Sequence, residues 1–433
     1  MKVPLGVVKW SQVLILFLLN VSCNLIWLAY APVADASAAY FNGSLSVVNW
    51  LNNVYVLMFL PGSVVSALVL DRSGVRRAIQ LGSILQCVGV AFCFGAAFVQ
   101  NSTARIGLTV VGQAITGFAQ PFFLDACPKQ AYDWFPVDQR AVPTACSTIG
   151  SPVGSAVAFL IVPAVVQSQG DIQTLLLYYT CLLAGLMIIT LVVAREPPPQ
   201  AESALKEEVR IETSLRKSYS KCLGTKLFWL LSVTAAGGIS LFSDFTSYLN
   251  QIMSPYGYTS DDTGTMGAVL VFSGVIATFV FGYLADRTRR HAVILKVNVL
   301  MVFVGYVFFS IIFNKPGNFV LAVVACAIIG IFSVGSLPVF LDIIVAVTRQ
   351  HGIGEGVSMS LLWGSSQVLI VIMNVIWDRT RNPDQSYPAV PWIVLGTWAA
   401  CLIPLQFYPL SQDMIHLDAR LKELSGDHEG AKH

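Results

Sequence analysis

The sequence predicts an all-α membrane protein of twelve transmembrane helices arranged as two six-helix bundles. Three observations carry this prediction: the apolar composition, the recurrence of apolar segments about 20 residues long, and a single charged break near the middle of the chain. Of 433 residues, 55% are hydrophobic and only 12% are charged. With a mean hydropathy of +0.69, the chain lies far from the balance of a soluble globular protein. The net charge of +2 is too small and too dispersed for a nucleic-acid partner, and the basic residues fall in short clusters between apolar stretches. All nine cysteines except Cys222 lie within or at the edge of apolar segments, so no extracellular disulfide framework is expected.

A hydrocarbon core of about 30 Å requires roughly 20 apolar residues per helix. Segments of that kind lie near 11–31, 47–69, 78–98, 104–126, 142–166 and 172–194, and again near 227–253, 264–285, 292–313, 319–343, 356–377 and 391–411. The first is too long for a signal-peptide core and lacks a small-residue cleavage motif near its start, so it reads as the first membrane helix. Residues 1–194 form the N-terminal bundle, 195–226 a cytoplasmic linker, 227–411 the C-terminal bundle and 412–433 a cytoplasmic tail. The linker combines Pro197-Pro198-Pro199 with alternating Glu, Lys and Arg, and its second part reads either as an amphipathic surface helix or as a flexible tether.

With both termini in the cytoplasm, all but four of the 26 Lys and Arg fall on the inner side; Arg105, Lys315, Arg379 and Arg381 fall outside, as the positive-inside rule requires. Two glycosylation sequons, at Asn42 and Asn101, lie in the first and second external loops of this topology. A plasma-membrane or endomembrane protein acting as a monomer is expected.

A motif repeats across the halves. Asp71-Arg72-Ser73-Gly74-Val75-Arg76-Arg77 follows the second segment, and Asp286-Arg287-Thr288-Arg289-Arg290 follows the eighth, 215 residues later. A repeat at half the chain length is what a duplicated six-helix unit leaves behind. Asp71, Arg72, Arg76, Asp286, Arg287 and Arg290, with Glu355 at the start of the eleventh segment, are candidates for charge-assisted contacts that gate the inner face. Setting topology by positive charge alone is the simpler role. Together the two loops resemble the cytoplasmic signature of the major facilitator superfamily.

Further stretches resemble the feline leukaemia virus subgroup C receptor-related transporters, solute carrier family 49. They include Trp27-Leu28-Ala29-Tyr30-Ala31-Pro32-Val33-Ala34-Asp35, Asn49-Trp50-Leu51 with Tyr55, Trp134-Phe135-Pro136, Ser151-Pro152-Val153-Gly154, Leu249-Asn250-Gln251, Gly354-Glu355-Gly356 and Ser366-Gln367. The Ala-Pro-Val-Ala-Asp and Ser-Pro-Val-Gly runs look most like the third member type of that family. The resemblance implies a facilitator fold and a substrate drawn from choline and ethanolamine, pyridoxine, or haem. It also implies that Trp27 packs on a substrate ammonium and that Gln367 is a ligand. Three positions depart from the choline carriers. Ser243 stands at the cage tyrosine, Pro152 stands at the glutamine of the fifth helix, and Cys23 replaces an asparagine, with Asn24 one place later.

The residues themselves outline a candidate site. Asn20, Asn24 and Trp27 recur at i, i+4 and i+7, within about 60° of one helix face. Polar groups on such a face are expected to line a cavity rather than lipid, and an indole attracts cations by about 0.5 to 2 kcal/mol; an interfacial anchor is the other reading of Trp27. On the seventh segment Ser240, Asp244, Ser247 and Gln251 form one stripe, with Phe242 able to supply an aromatic wall. Asp244 is the most interior carboxylate, and an unpaired charge at that depth must line water, meet a cation or be protonated. A helix-to-helix hydrogen bond is the structural alternative.

All five histidines fall in cytoplasmic loops or the tail, which makes haem a minor candidate. No Ser-His-Asp arrangement, metal-ligand cluster or phosphate-cradling loop is present, so neither an enzyme, a metal nor a cofactor is expected. The sequence thus predicts a carrier that moves a small organic solute by alternating access, an organic cation first. A haem or pyridoxine-like carrier and a non-transporting solute sensor of the same fold are the alternatives.

Overall fold

The computed structural model describes residues 5–135, 141–197, 215–288, 291–315, 317–350, 355–384 and 386–407. Twelve principal helices follow one another: α1 Leu5–Trp27, α2 Leu45–Leu70, α3 Arg72–Ala96, α4 Ser102–Ala119, α5 Gly150–Val165, α6 Asp171–Val193, α7 Lys226–Met253, α8 Ser260–Thr288, α9 His291–Ile312, α10 Phe319–Gln350, α11 Glu355–Arg379 and α12 Val390–Phe407. Among the described residues eleven spans are long and apolar enough to cross a bilayer, the fourth and fifth only when α4 and α5 are taken with their neighbouring segments as Ser102–Ala131 and Val142–Val165, and α12 is a shorter apolar helix. The chain is an integral, multi-pass membrane protein.

Two predicted spans are segmented. The fourth stops at Ala119 and resumes as Pro121–Leu124 and Ala126–Trp134, because Pro121 lacks the N–H that a continuous helix needs. The fifth begins as Ala141–Thr148 before α5. Just inside the start of α3, Gly74 kinks the run that leads from α2, at φ 77°, a left-handed conformation that costs a side-chain-bearing residue about 1 kcal/mol. The first copy of the repeated motif is built around this turn. Of the linker, residues 215–224 form a helix, and the preceding stretch of the predicted surface helix lies outside the described residues.

Small residues let the helices touch backbone to backbone. A Cβ on Gly117 of α4 would stand 2.1 Å from the Tyr55 carbonyl of α2, and one on Gly62 of α2 would stand 2.5 Å from the Phe118 carbonyl. The second half repeats the device: Gly330 of α10 would meet the Leu270 carbonyl of α8 at 1.7 Å, and Gly274 the Gly330 carbonyl at 2.6 Å. Lipid tails are as apolar as leucine, so such close packing, rather than hydrophobic burial, drives helix association. The matched pairs are the duplication expressed in three dimensions.

At the linker end of the molecule, Lys129 Nζ donates to the Leu70 carbonyl at 2.6 Å, satisfying an orphan acceptor at the end of α2. Arg76 pairs with Glu196 at 3.8 Å, within the first half and its exit rather than across the two halves. Arg72 is exposed. Arg287 donates to the Tyr283 hydroxyl one helical turn back at 2.6 Å. The side chains of Asp71, Asp286 and Glu355, and Arg290 altogether, lie outside the described residues.

At the opposite end, the connection between α11 and α12 contains a tight turn. Asp384 accepts from the Ser386 hydroxyl at 2.6 Å and from its backbone N–H at 3.0 Å. These bonds hold the Asp384 carboxyl below its usual value of 3.8, so the turn is fully bonded above that value and loosens only as pH falls through the lowered one.

Candidate functional site

The polar face of α1 is engaged within its own half. Asn20 donates to the Leu16 carbonyl at 3.0 Å and reaches Cys127 Sγ and the Ser147 carbonyl at 3.4 Å. The Ser151 hydroxyl donates to Asn20 Oδ1 at 3.5 Å. Asn24 donates to the Asn20 carbonyl at 3.3 Å and accepts from the Ser155 hydroxyl at 3.1 Å. Beside them, Gly150 and Gly154 bring α5 against the carbonyls of Phe17 and Val21. Both asparagines therefore seam α1 to α5. Trp27 ends α1 half-buried, against a core drawn mainly from the first half, and its indole N–H is buried without a hydrogen-bond partner among the described residues.

The stripe on α7 separates into different environments. Ser240 donates to the Gly237 carbonyl at 3.1 Å, and Ser247 is buried. Asp244 has no solvent exposure, and neither carboxyl oxygen has a hydrogen-bond partner among the described residues. Its carboxyl lies within electrostatic reach of Tyr248 on α7 and Tyr306 on α9. The Tyr248 hydroxyl is spent on the Asn374 carbonyl at 3.2 Å, whereas the Tyr306 hydroxyl is buried and unpartnered among the described residues. Buried polar groups are almost always paired, and a group of unpaired ones marks a place where a ligand, ion or water completes the set. Phe242 packs half-buried against the second half's core, and Gln367 on α11 is buried at 9% exposure.

Gln251 takes part in a latch between the halves. Its amide donates to Asn49 Oδ1 on α2 at 2.7 Å, the Asn49 amide returns a bond at 3.4 Å, and the Tyr387 hydroxyl donates to Gln251 Oε1 at 2.9 Å. Burial pushes the Tyr387 phenol up to about 12, which keeps it a donor at any physiological pH. Asp378, near the end of α11, accepts from the Ser46 hydroxyl at 2.6 Å and the Asn49 amide at 3.2 Å. Arg381 donates to Ser46 at 2.9 Å and stands 3.7 Å from Asp378. Ser254 donates to Asp35 at 2.9 Å, and Gly267 of α8 packs against the Phe159 ring of α5. These contacts bridge the halves at the end remote from the linker. Removing Gln251 from the latch with Gln251→Leu is expected to raise impermeant-maleimide labelling of a cysteine placed at Ser247 several-fold.

Asn49, Tyr306, Asp378 and Tyr387 were missed by sequence reasoning as site residues. Asn49, Asn52 and Asn53 do form a polar cluster early in an apolar segment, a signal that could have marked the first of them. Asp378 and Arg381 read instead as part of an external loop.

Comparison with known proteins agrees with this architecture. Residues 13–380 match the Major Facilitator Superfamily. Solute carrier family 49 member A3 of Danio rerio is 30% identical over 384 residues, covering 88% of this chain and 80% of that one. The choline/ethanolamine transporter FLVCR1 of Felis catus is 27% identical over 401 residues, covering 87% and 69%. Among solved structures, a D-xylose-proton symporter superposes with a TM-score of 0.71 at 12% identity, covering 92% of this chain and 98% of that one, a likeness of fold alone. With two matched bundles, glycine-paired helices and a latch at one end, the chain belongs to the major facilitator superfamily and, within it, to solute carrier family 49.

Proposed function

We propose that the protein carries a small organic cation across the membrane by alternating access, with choline and ethanolamine as the first candidates. The observation that carries this reading is Asp244: a carboxyl with no exposure and no hydrogen-bond partner, in the middle of a membrane helix. Such a group is costly unless a cation or a proton joins it. The names of the FLVCR1 relatives, given as choline/ethanolamine transporters, support the same substrate class. Trp27, with its free indole N–H, supplies the aromatic face on the other half, and Phe242, Ser247 and Gln367 complete the set. Asn20 and Asn24 hold α1 in register behind Trp27.

In this reading both termini are cytoplasmic, the latch at Asn49, Gln251 and Asp378 is the closed external gate, and the repeated Asp71 and Asp286 loops act at the internal one. Opening requires a bundle rotation that exchanges one set of contacts for the other. Asn42 and Asn101 then face outward and carry glycans. Asn42 is exposed, with φ at 47°, and Asn101 caps α4 through Ala104 N–H at 3.1 Å. Enzymatic deglycosylation is expected to increase gel mobility, and the combined Asn42→Gln and Asn101→Gln variant to abolish that change.

Uptake of labelled choline, ethanolamine, pyridoxine and haem into liposomes containing the purified chain tests the substrate class. Saturable uptake of choline or ethanolamine is expected. Saturable transport of an anion with none of the three amines would overturn the reading.

A further inference from the structure

The latch between the halves is a hydrogen-bond chain with a fixed direction. A carboxylate only accepts, a guanidinium only donates, and a carboxamide presents an acceptor on one side and donors on the other. At one end Asp378 Oδ1 accepts from the Asn49 amide at 3.2 Å, whose nitrogen also reaches Gln251 Oε1 at 3.4 Å. With its amide turned to Asp378, Asn49 offers Oδ1 to the Gln251 amide at 2.7 Å. Gln251 thereby turns Oε1 to the Tyr387 hydroxyl, which donates at 2.9 Å. Each link dictates the next, so the acceptor-only group at Asp378 sets which way both carboxamides face. A parallel leg ends on the same carboxylate. Arg381 donates to Ser46 Oγ at 2.9 Å, which leaves the single Ser46 hydroxyl hydrogen for Asp378 Oδ2 at 2.6 Å. Ser46 and Asn49 stand on α2 in the first half, and the other members belong to the second.

The far end of the chain is held by the fold. Pro383 and Asp384 sit in the turn after α11, residue types that favour such a reversal, and the Asn382 N–H donates to the Ser386 carbonyl at 3.0 Å. The turn delivers Tyr387 into the second half with no exposure. Its ring stands edge-on to Tyr248 of α7 at 5.8 Å, and Tyr248 stands edge-on to Trp377 of α11 at 5.4 Å. Edge-to-face packing of this kind fixes ring position, so the phenol hydrogen is aimed at the one amide oxygen that the chain leaves for it. Hydrogen bonds aligned in one direction polarise one another. Loss of either terminus therefore weakens the links between, including those that cross the halves.

We propose that Asp378 and Tyr387 are the positioning residues of the external gate: the carboxylate orients the Asn49 and Gln251 carboxamides, and the phenol closes the chain. The inference rests on the alternating-access reading, in which this latch is the closed external gate. Neither residue touches the solute in that reading. Both act through Gln251 and Asn49, whose mutual bonds must break and re-form as the bundles rotate.

The test uses the full chain carrying Ser247→Cys, labelled by an impermeant maleimide. Asp378→Asn is isosteric and is expected to raise the labelling rate several-fold, because one oxygen cannot accept from both Ser46 and Asn49. Adding Asn49→Asp exchanges carboxylate and amide between the two positions. The introduced amide donates to the introduced carboxylate, which also accepts from Gln251, while Ser46 keeps its acceptor; labelling is expected to return close to that of the Ser247→Cys parent. A merely structural role for these side chains predicts a further rise on the second substitution, not a recovery. Tyr387→Phe keeps the ring against Tyr248 and is expected to raise labelling by a smaller factor, and to add nothing in Gln251→Leu, where the chain is already cut. That pair decides the matter where Asp378→Asn does not fold. Unchanged labelling in Asp378→Asn, no recovery in the exchanged pair, or a Tyr387→Phe effect that multiplies undiminished onto Gln251→Leu would each overturn the proposal. Labelling needs no solute, so absence of amine uptake overturns the cation reading and leaves these outcomes standing.

Discussion

Asp244→Asn is expected to lower uptake of the transported cation at least tenfold while leaving the thermal midpoint of the purified protein unchanged or higher. The substitution is nearly isosteric, and the carboxyl it replaces has neither solvent nor a hydrogen-bond partner. A buried acid without compensation stores unfavourable free energy that the neutral amide reduces, and sites that hold such strain trade stability for activity. A tenfold loss corresponds to about 1.4 kcal/mol of lost interaction, modest for a charge-assisted contact. The measurement is initial-rate uptake into liposomes over a range of external pH, alongside a thermal denaturation curve. Unchanged uptake at every pH would remove Asp244 from the mechanism; a large fall in thermal midpoint would make it a packing residue. Tyr306→Phe is the companion variant. It removes the other unpartnered buried group within reach of Asp244, and a smaller loss of uptake with full stability is expected.

Gly330→Leu is expected to prevent assembly of the folded protein. Its Cβ alone would stand 1.7 Å from the Leu270 carbonyl and 2.7 Å from the carbonyl carbon behind it. Both are backbone atoms, so no rotamer change relieves the clash and α8 must move away from α10. Overpacking of this kind costs about 3 kcal/mol or more, and it also strips the close backbone contacts that hold helices together in lipid. Gly117→Leu is its counterpart in the first half, at 2.1 Å from the Tyr55 carbonyl. Gly185→Leu is the control: nothing lies within 4 Å of a Cβ there, so that variant is expected to purify as wild type does. Size-exclusion profiles after detergent extraction distinguish the two classes, and a monodisperse Gly330→Leu protein would contradict the packing argument.

The bundle architecture was legible in the sequence because its cause is local. A bilayer leaves no water for backbone groups, so each crossing needs its own run of about 20 apolar residues, and those runs can be counted. The repetition of the Asp71 and Asp286 motifs is visible for the same reason: clustered charge is written in consecutive residues. Helical periodicity also grouped Ser240, Asp244, Ser247 and Gln251 on one stripe of α7. It could not say what each would meet, because neighbouring residues of a stripe face different partner helices as the helix rises.

Asn20 and Asn24 illustrate that limit. Their spacing with Trp27 is real, but α5 approaches closely at Gly150 and Gly154, and Ser151 and Ser155 take up their amides. Gln251, grouped with that stripe, bonds Asn49 and Tyr387 from distant parts of the chain. Asp378 looked like a loop residue, yet it meets Ser46 across 332 positions of sequence.

From hydropathy and local pattern alone, then, came the run of membrane-spanning apolar helices and the presence of one deeply interior carboxyl. Only the tertiary structure decided which polar groups are spent on one another and which are left over. Satisfaction of a buried polar group depends on helices brought together by glycines at a few ångströms, and no property of the neighbouring sequence records which carbonyl each glycine will face.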